Sequence, residues 1–167
     1  METTSTLKNP AARNAIGGGL GWVLAGGLMA GALDLTFAFV FYGLQGTKPL
    51  RILQFIASGV LGRGSFQMGL ASAALGAFFH FFTSVCAAAI YYLASRRFSF
   101  LTHRAAISGA IFGVLMFLAM RLIVIPLSAI GPSSMRVGSI IGELCSHVFL
   151  FGMVIAYAVS RARRLSA

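Results

Sequence analysis

Four apolar runs, each long enough to cross a bilayer as one helix, constrain this chain more than any other feature. They extend over residues 20–43, 70–94, 105–126 and 137–160. A helix of about 20 apolar residues spans the hydrocarbon core of a membrane. We therefore predict an all-α integral membrane protein, a four-helix transmembrane bundle, with residues 1–167 forming one transmembrane domain.

The composition excludes an ordinary soluble domain. Only 10% of the residues are charged and 58% are hydrophobic, whereas soluble domains average about 25% charged residues. The net charge of +10 could indicate nucleic-acid binding, but the basic residues lie between the apolar runs and not on one patch. We interpret them as loop charges beside lipid headgroups and expect the lipid bilayer, not nucleic acid, as the partner.

The first connection, residues 44–69, differs from the other two. It carries Lys48, Pro49, Arg51 and Arg63 around a short apolar segment. That segment is too short and too charged to span, so we predict a short interfacial or re-entrant helix at about residues 48–62. The other two connections are short, which predicts antiparallel neighbouring helices.

The distribution of Lys and Arg predicts the orientation of the bundle. With four spans, the termini and the middle loop share one side of the membrane. That side carries eight basic residues and the opposite side four, so both termini are expected in the cytoplasm. The eight are Lys8, Arg13, Arg96, Arg97, Arg104, Arg161, Arg163 and Arg164, and the four are Lys48, Arg51, Arg63 and Arg136.

Five ionisable residues fall inside the predicted spans: Asp34, His80, Arg121, Glu143 and His147. Such a residue at mid-bilayer costs about 2.5–3.5 kcal/mol on insertion scales and usually faces the bundle interior. Counted along each helix, all five lie in one layer, at or outside the midplane on the non-cytoplasmic side. The pattern predicts a polar site in the outer half of the bundle.

This site has three interpretations. Asp34, His80, Glu143 and His147 form a plausible ligand set for zinc, iron or manganese. A haem held by His80 and His147 is less favoured, because carboxylates lie beside them and the chain is short. The same residues could instead form a proton relay or a small-solute path.

The third interpretation is structural, and it makes the protein a subunit of a membrane assembly. Asp34 would pair with Arg121, and Glu143 would hydrogen-bond a histidine. Arg121 could alternatively be a counter-charge of the site or extend outward to the headgroups. The sequence contains no hydrolase, phosphate-loop, dinucleotide or HExxH motif, so enzymatic activity has no positive signal.

Small residues and sequence similarity between spans suggest how the helices pack. Glycines four apart permit close helix approach, and four such pairs favour packing within the bundle over a homodimer interface. The pairs are Gly17 and Gly21, Gly27 and Gly31, Gly109 and Gly113, and Gly138 and Gly142. Gly26–Leu35 also resembles Gly113–Leu122, and the neighbourhoods of His80 and His147 are alike, which suggests a parallel two-helix repeat.

The segment from Ile125 to Arg161, with Gly131-Pro132 and the stretch Ile141–His147, resembles the uncharacterised YagU-like inner-membrane proteins of bacteria. So does the second span around His80, with its trailing Tyr91. The resemblance implies a small bacterial inner-membrane protein without an assigned reaction. It makes the Glu143, Ser146 and His147 element a candidate functional site. The first connection is much shorter here than in that family, so a function housed in that loop is not implied.

Overall fold

The computed structural model describes residues 10–129, 131 and 137–165, with side chains from Gly18 onward. Within these residues all regular secondary structure is helical. Four segments are long and apolar enough to cross a membrane: Gly18–Gly43, Gly69–Arg97, Ala105–Leu127 and Val137–Leu165. The prediction of an all-α membrane bundle with four spans is confirmed.

The helices follow one another with short connections. In chain order they are α1 Pro10–Gly43, α2 Pro49–Leu61, a 3₁₀ helix Gly62–Gln67, α3 Gly69–Arg97, α4 Phe100–His103, α5 Ala105–Ala119, π1 Met120–Val124, α6 Ile125–Leu127, α7 Val137–Cys145, π2 Ser146–Gly152 and α8 Met153–Leu165. Thus the third span comprises α5, π1 and α6, and the fourth comprises α7, π2 and α8. The wider π turns inside these two spans were not predicted, because the apolar pattern is the same for both helix types.

Helix α2 occupies the first connection, where the sequence predicts a short helix. It begins at Pro49, whose fixed φ suits a first helical position. It ends at Leu61, and the next residue, Gly62, has a φ of 63°, which favours glycine. A Cβ on Gly76 of α3 would overlap the backbone carbonyl of Leu53, so α2 lies directly on α3.

A buried chain of hydrogen bonds fastens α2 to α3. The Gln54 side-chain amide donates to the carbonyl of Gly69 at 3.0 Å. The Ser65 hydroxyl donates to the carbonyl of Gln54 at 2.9 Å, and the Ser72 hydroxyl donates to the carbonyl of Ser65 at 2.6 Å. Because buried polar groups need such partners, these bonds give α2 a fixed position on the bundle.

The fourth span lies between α1 and the third span. Helix α1 contacts α3 and the fourth span, and α5 packs against the fourth span on its other side. The buried core lies at one end of the bundle. This end contains the first half of α1, the end of α3, the start of α5 and helix α8. We call this end the packed half. Its core consists mainly of small side chains: Val23, Ala30, Ala87, Ala88, Tyr91, Ala105, Phe151, Ile155, Ala156, Val159 and Ala162.

Polar contacts in the packed half tie the α4 connection to the spans. The Tyr91 hydroxyl lies 2.9 Å from the carbonyl oxygen of Leu101 and 2.9 Å from the Ser108 hydroxyl. The Ser160 hydroxyl of α8 lies 3.1 Å from the carbonyl oxygen of Thr102. These hydroxyl groups are hydrogen-bonded to neighbouring segments of the chain, so they hold the helix ends together.

Two of the four glycine pairs pack inside the chain. A Cβ on Gly31 would lie 2.7 Å from the Ser84 hydroxyl oxygen, and one on Gly27 would lie 3.1 Å from the Ser84 carbonyl oxygen. A Cβ on Gly109 would lie 2.8 Å from the Ala156 methyl carbon. A Cβ on Gly113 would overlap the His147 carbonyl. These contacts require glycine, as close helix approach predicts.

The outward faces of the spans are apolar. Leu20, Leu24 and Leu28 of α1 are exposed, and so are Phe78 and Phe82 of α3. Exposed apolar surface on this scale is unusual for a soluble monomer. It is the surface that contact with a lipid bilayer requires, and two of the four phenylalanines next to His80 contribute to it.

Candidate functional site

A cavity of about 770 Å³ occupies the end of the bundle opposite the packed half. Its walls come from α1, α2, α3, the third span and the start of the fourth span. We call this end the cavity half. The four ionisable residues of the predicted ligand set, Asp34, His80, Glu143 and His147, all line this cavity. Four of the five residues in the predicted layer therefore face one common space.

Asp34 of α1 binds two residues of π2. The Ser146 hydroxyl donates a hydrogen bond to Asp34 Oδ1 at 2.6 Å. The Nδ1 atom of His147 lies 3.8 Å from the same oxygen. Asp34 and His147 retain side-chain exposures of only 16% and 18%. A carboxylate this enclosed is stabilised by its hydroxyl donor and by any positive charge on the imidazole.

Glu143 lies one turn before His147 and has its own hydroxyl donor. The Tyr42 hydroxyl donates to Glu143 Oε1 at 2.5 Å. The Ser139 side chain and the charge of Arg121 also interact with the Tyr42 hydroxyl. Arg121 is half-buried in π1 and is not among the residues that line the cavity. Its positive charge thus lies near the hydrogen bond between Tyr42 and Glu143 but outside the cavity lining.

Backbone carbonyls set the tautomers of both histidines. His80 Nε2 lies 2.8 Å from the Gly31 carbonyl oxygen, and His147 Nδ1 lies 2.9 Å from the Glu143 carbonyl oxygen. A carbonyl oxygen can only accept, so each of these nitrogens carries a proton. The second nitrogen, Nδ1 of His80 and Nε2 of His147, is therefore the one that can gain or lose a proton.

Local helix geometry brings these groups together. Ser146 and His147 are adjacent in sequence, yet both approach the same oxygen of Asp34. They open π2, and π turns within α-helices often accompany functional sites. The opposite face of this segment lies against Gly113, which leaves no space for a Cβ beside the His147 carbonyl. Tight packing on one side thus holds π2 towards Asp34 on the other.

The four residues share a cavity but do not form a compact ligand group. No group of three or more His, Cys, Asp or Glu in residues 10–129, 131 and 137–165 is placed to hold a metal ion. Each of the four side chains has another contact within the protein. Ser146 binds Asp34, Tyr42 binds Glu143, and one nitrogen of each histidine faces a carbonyl. The four-ligand set of Asp34, His80, Glu143 and His147 stays a prediction, and the structure shows that these four residues line one cavity.

Several lining residues were not predicted. Tyr42 follows Asp34 and Ala38 at intervals of four, so the helical stripe that includes Asp34 could have identified it. Ser146 was already part of the element that the YagU-like resemblance makes a candidate site. Arg51 and the other α2 residues could not be identified, because nothing in the sequence places α2 over the bundle.

No protein-family model, no curated protein and no solved structure matches this chain. The resemblance to YagU-like proteins therefore stays a prediction. The cavity and its residues are therefore the basis for a proposed function.

Proposed function

We propose that this membrane protein binds a cation in its cavity and exchanges protons there, through Asp34, Glu143, His80 and His147. The observation that carries the proposal is the single cavity lined by all four residues. A purely structural set of charges would be expected in a sealed bundle. An open space beside the ionisable groups gives ions and protons a place to bind.

The contacts of Asp34 favour proton exchange over fixed pairing. Its carboxylate has a neutral hydroxyl donor, Ser146, and a histidine 3.8 Å away that can carry a charge or not. Imidazole is the side chain that gains and loses protons near neutral pH. A proton gained at His147 Nε2 would make the ring positive beside the Asp34 carboxylate, so the protonation states of the two residues are coupled.

The membrane and the orientation are part of the proposal. The resemblance to bacterial inner-membrane proteins and the excess of basic residues at the packed half support a bacterial inner membrane with cytoplasmic termini. In this arrangement the cavity half, including α2, faces the outer side. The cavity would thus collect cations from outside the cytoplasm.

A homodimer is also proposed, on a narrower basis than the sequence suggested. Gly27, Gly31, Gly109 and Gly113 contact helices of their own chain. Added Cβ atoms at Gly21 and Gly138 would meet no described atom within 4 Å. These two positions leave space for a second copy to approach closely.

Histidine NMR on the protein in nanodiscs tests proton exchange directly. The chain has three histidines, and His103 of exposed α4 is an internal control outside the cavity. Spectra are recorded between about pH 5 and about pH 8, where histidine side chains commonly exchange their proton, and the proposal requires a reversible change at His147 and His80. The Asp34→Asn variant should change the titration midpoint of His147 and leave that of His103 unchanged. If both cavity histidines keep one protonation state over this range, the proposal is wrong.

Metal analysis of the same preparations separates protons from metals. The described residues contain no compact group of three or more His, Cys, Asp or Glu, so we expect no stoichiometric zinc, iron or manganese in the wild-type protein. The His80→Ala, His147→Ala double variant should have the same metal content. Stoichiometric metal that disappears in the double variant would replace the proton proposal by a metal site.

The second candidate function is a structural subunit of a membrane assembly. The Ser146–Asp34 and Tyr42–Glu143 bonds favour it, because each joins α1 to the fourth span. In that case Asp34→Asn would weaken helix packing and leave the histidine titrations uncoupled from Asp34. The stability of this variant, discussed below, distinguishes the two functions.

A further inference from the structure

The cavity is much larger than a proton or a bare metal ion requires. Its volume of about 770 Å³ lies within the range of about 300–1,000 Å³ that is typical of small-molecule sites. The walls extend from Asp34 on α1 to Ile56 on α2 and Val124 in π1. Most of this surface is aliphatic or aromatic, so the space suits a molecule with a sizeable apolar body.

The charges on the walls favour a positively charged occupant. Asp34 and Glu143 contribute two carboxylates, and Arg51 is the one Lys or Arg among the lining residues. The Arg51 guanidinium lies 3.9 Å above the centre of the Phe66 ring and is exposed at the first turn of α2. With neutral histidines and both carboxylates ionised, the residues that face the space carry one net negative charge, and Arg121 lies outside the lining, beside the Tyr42–Glu143 pair. The net negative charge of the lining is complementary to a monovalent cation.

The aromatic rings of the lining favour an organic cation over a metal ion. Six of them line the cavity: Phe37, Tyr42, Phe55, Phe66, Phe79 and Phe151. Ring faces attract cations, most strongly where water is excluded, and such sites hold quaternary ammonium groups. Small hydrated metal ions prefer several oxygen ligands instead. A weakly hydrated organic cation is therefore favoured over sodium, potassium or calcium.

We infer that the cavity binds lipophilic organic monocations, with the apolar body among the aromatic rings and the positive charge near Asp34 and Glu143. This inference rests on the proposed function, because the same carboxylates would exchange protons. Binding of the cation and protonation of a carboxylate then compete, since each neutralises the same negative charge. An organic cation that enters a site with a protonated carboxylate should release that proton, which keeps the charge of the site constant.

Tetraphenylphosphonium and tetraphenylborate are the probes that test the inference. The two ions have nearly the same size and shape and opposite charges. Binding is measured by equilibrium dialysis against the full-length protein in nanodiscs, with empty nanodiscs as the blank. We expect saturable binding of tetraphenylphosphonium above the blank and no saturable binding of tetraphenylborate. Equal binding of both ions, or of neither, overturns the inference without any variant.

Variants then place the bound cation. Asp34→Asn and Glu143→Gln should each weaken tetraphenylphosphonium binding by roughly 10- to 100-fold, the loss expected for one charged partner. The matched control is Glu2→Gln, which removes the remaining acidic residue of the chain and should leave binding unchanged. Unchanged binding in both cavity variants would contradict the inference.

A size variant covers the case in which a charge variant misfolds. Ala38 is half-buried and lines the cavity one turn after Asp34. Ala38→Phe keeps every charge but fills part of the space, so it should reduce binding while the protein stays monodisperse. Ala89→Phe is its control, because Ala89 lies on α3 outside the lining. Undiminished binding in a folded Ala38→Phe protein would exclude this cavity as the site.

The histidine titrations keep the two proposals separable. They are recorded without any organic cation. Titration coupled to Asp34 together with no tetraphenylphosphonium binding would overturn the organic-cation inference and leave proton exchange in place. Charge-selective binding together with histidines of fixed protonation would overturn proton exchange and leave the binding site.

Discussion

The two halves of this bundle handle polar groups in opposite ways. In the packed half, Tyr91, Ser108 and Ser160 bind backbone carbonyls or one another among alanines and glycines. In the cavity half, Asp34 and Glu143 bind hydroxyls beside an open space. The packed half uses neutral groups to fix helix ends, whereas the cavity half keeps ionisable groups accessible. The difference predicts that mutations in the first will alter stability and mutations in the second will alter binding.

The largest effect is expected at the crossing of α5 and π2, where both halves meet. Gly113→Val would place a side chain against the His147 carbonyl. Overpacking of this kind costs typically about 1–3 kcal/mol, and we expect the upper end because the obstacle is backbone. Gly18→Val is the matched control, since a Cβ there meets nothing within 4 Å. Thermal unfolding in detergent checks both variants, and similar losses would show that the crossing is not specially tight.

A smaller loss of stability is expected for Tyr91→Phe in the packed half. The Tyr91 ring is buried, and its hydroxyl lies between Leu101 and Ser108. Removing it leaves these polar atoms short of a partner, at a cost towards the lower end of about 1–3 kcal/mol. Tyr157→Phe removes an exposed hydroxyl and should have little effect on the unfolding temperature. Tetraphenylphosphonium binding should be unchanged in both variants. Weaker binding in Tyr91→Phe would contradict the expectation that mutations in the packed half alter stability and not binding.

For Asp34→Asn in the cavity half we expect a small loss of stability and weaker cation binding. Asparagine keeps an oxygen that can accept the hydrogen bond of Ser146, so the unfolding free energy should fall by no more than about 1 kcal/mol. Breaking a buried structural ion pair would instead cost about 3–5 kcal/mol. A loss of that size would favour the structural subunit. A small loss accompanied by weaker cation binding would support the binding site.

The sequence was sufficient for the architecture and for most of the ionisable residues of the site. Apolar length predicts the four spans, and the cost of charge in lipid identifies Asp34, His80, Glu143 and His147 as interior. It was not sufficient for their contacts. A list of ligand types does not show that Ser146 and Tyr42 hydrogen-bond to the carboxylates of Asp34 and Glu143. The π turns and the position of α2 depend on tertiary packing, at Gly113 and Gly76, that no local pattern records.

The smallest effect is expected at Arg51, and it sharpens the charge argument. Arg51 is exposed and lines the rim of the cavity, so Arg51→Ala should leave the unfolding temperature nearly unchanged. Removing this positive charge should strengthen tetraphenylphosphonium binding by about twofold to about fivefold, the range expected for an exposed charge. Arg63→Ala removes an exposed charge of the 3₁₀ helix outside the lining and should change binding less. High salt should reduce the difference, since exposed charges are screened. Weaker binding in Arg51→Ala would mean that the Arg51–Phe66 stack holds the wall in place and that its charge is not sensed by the bound cation.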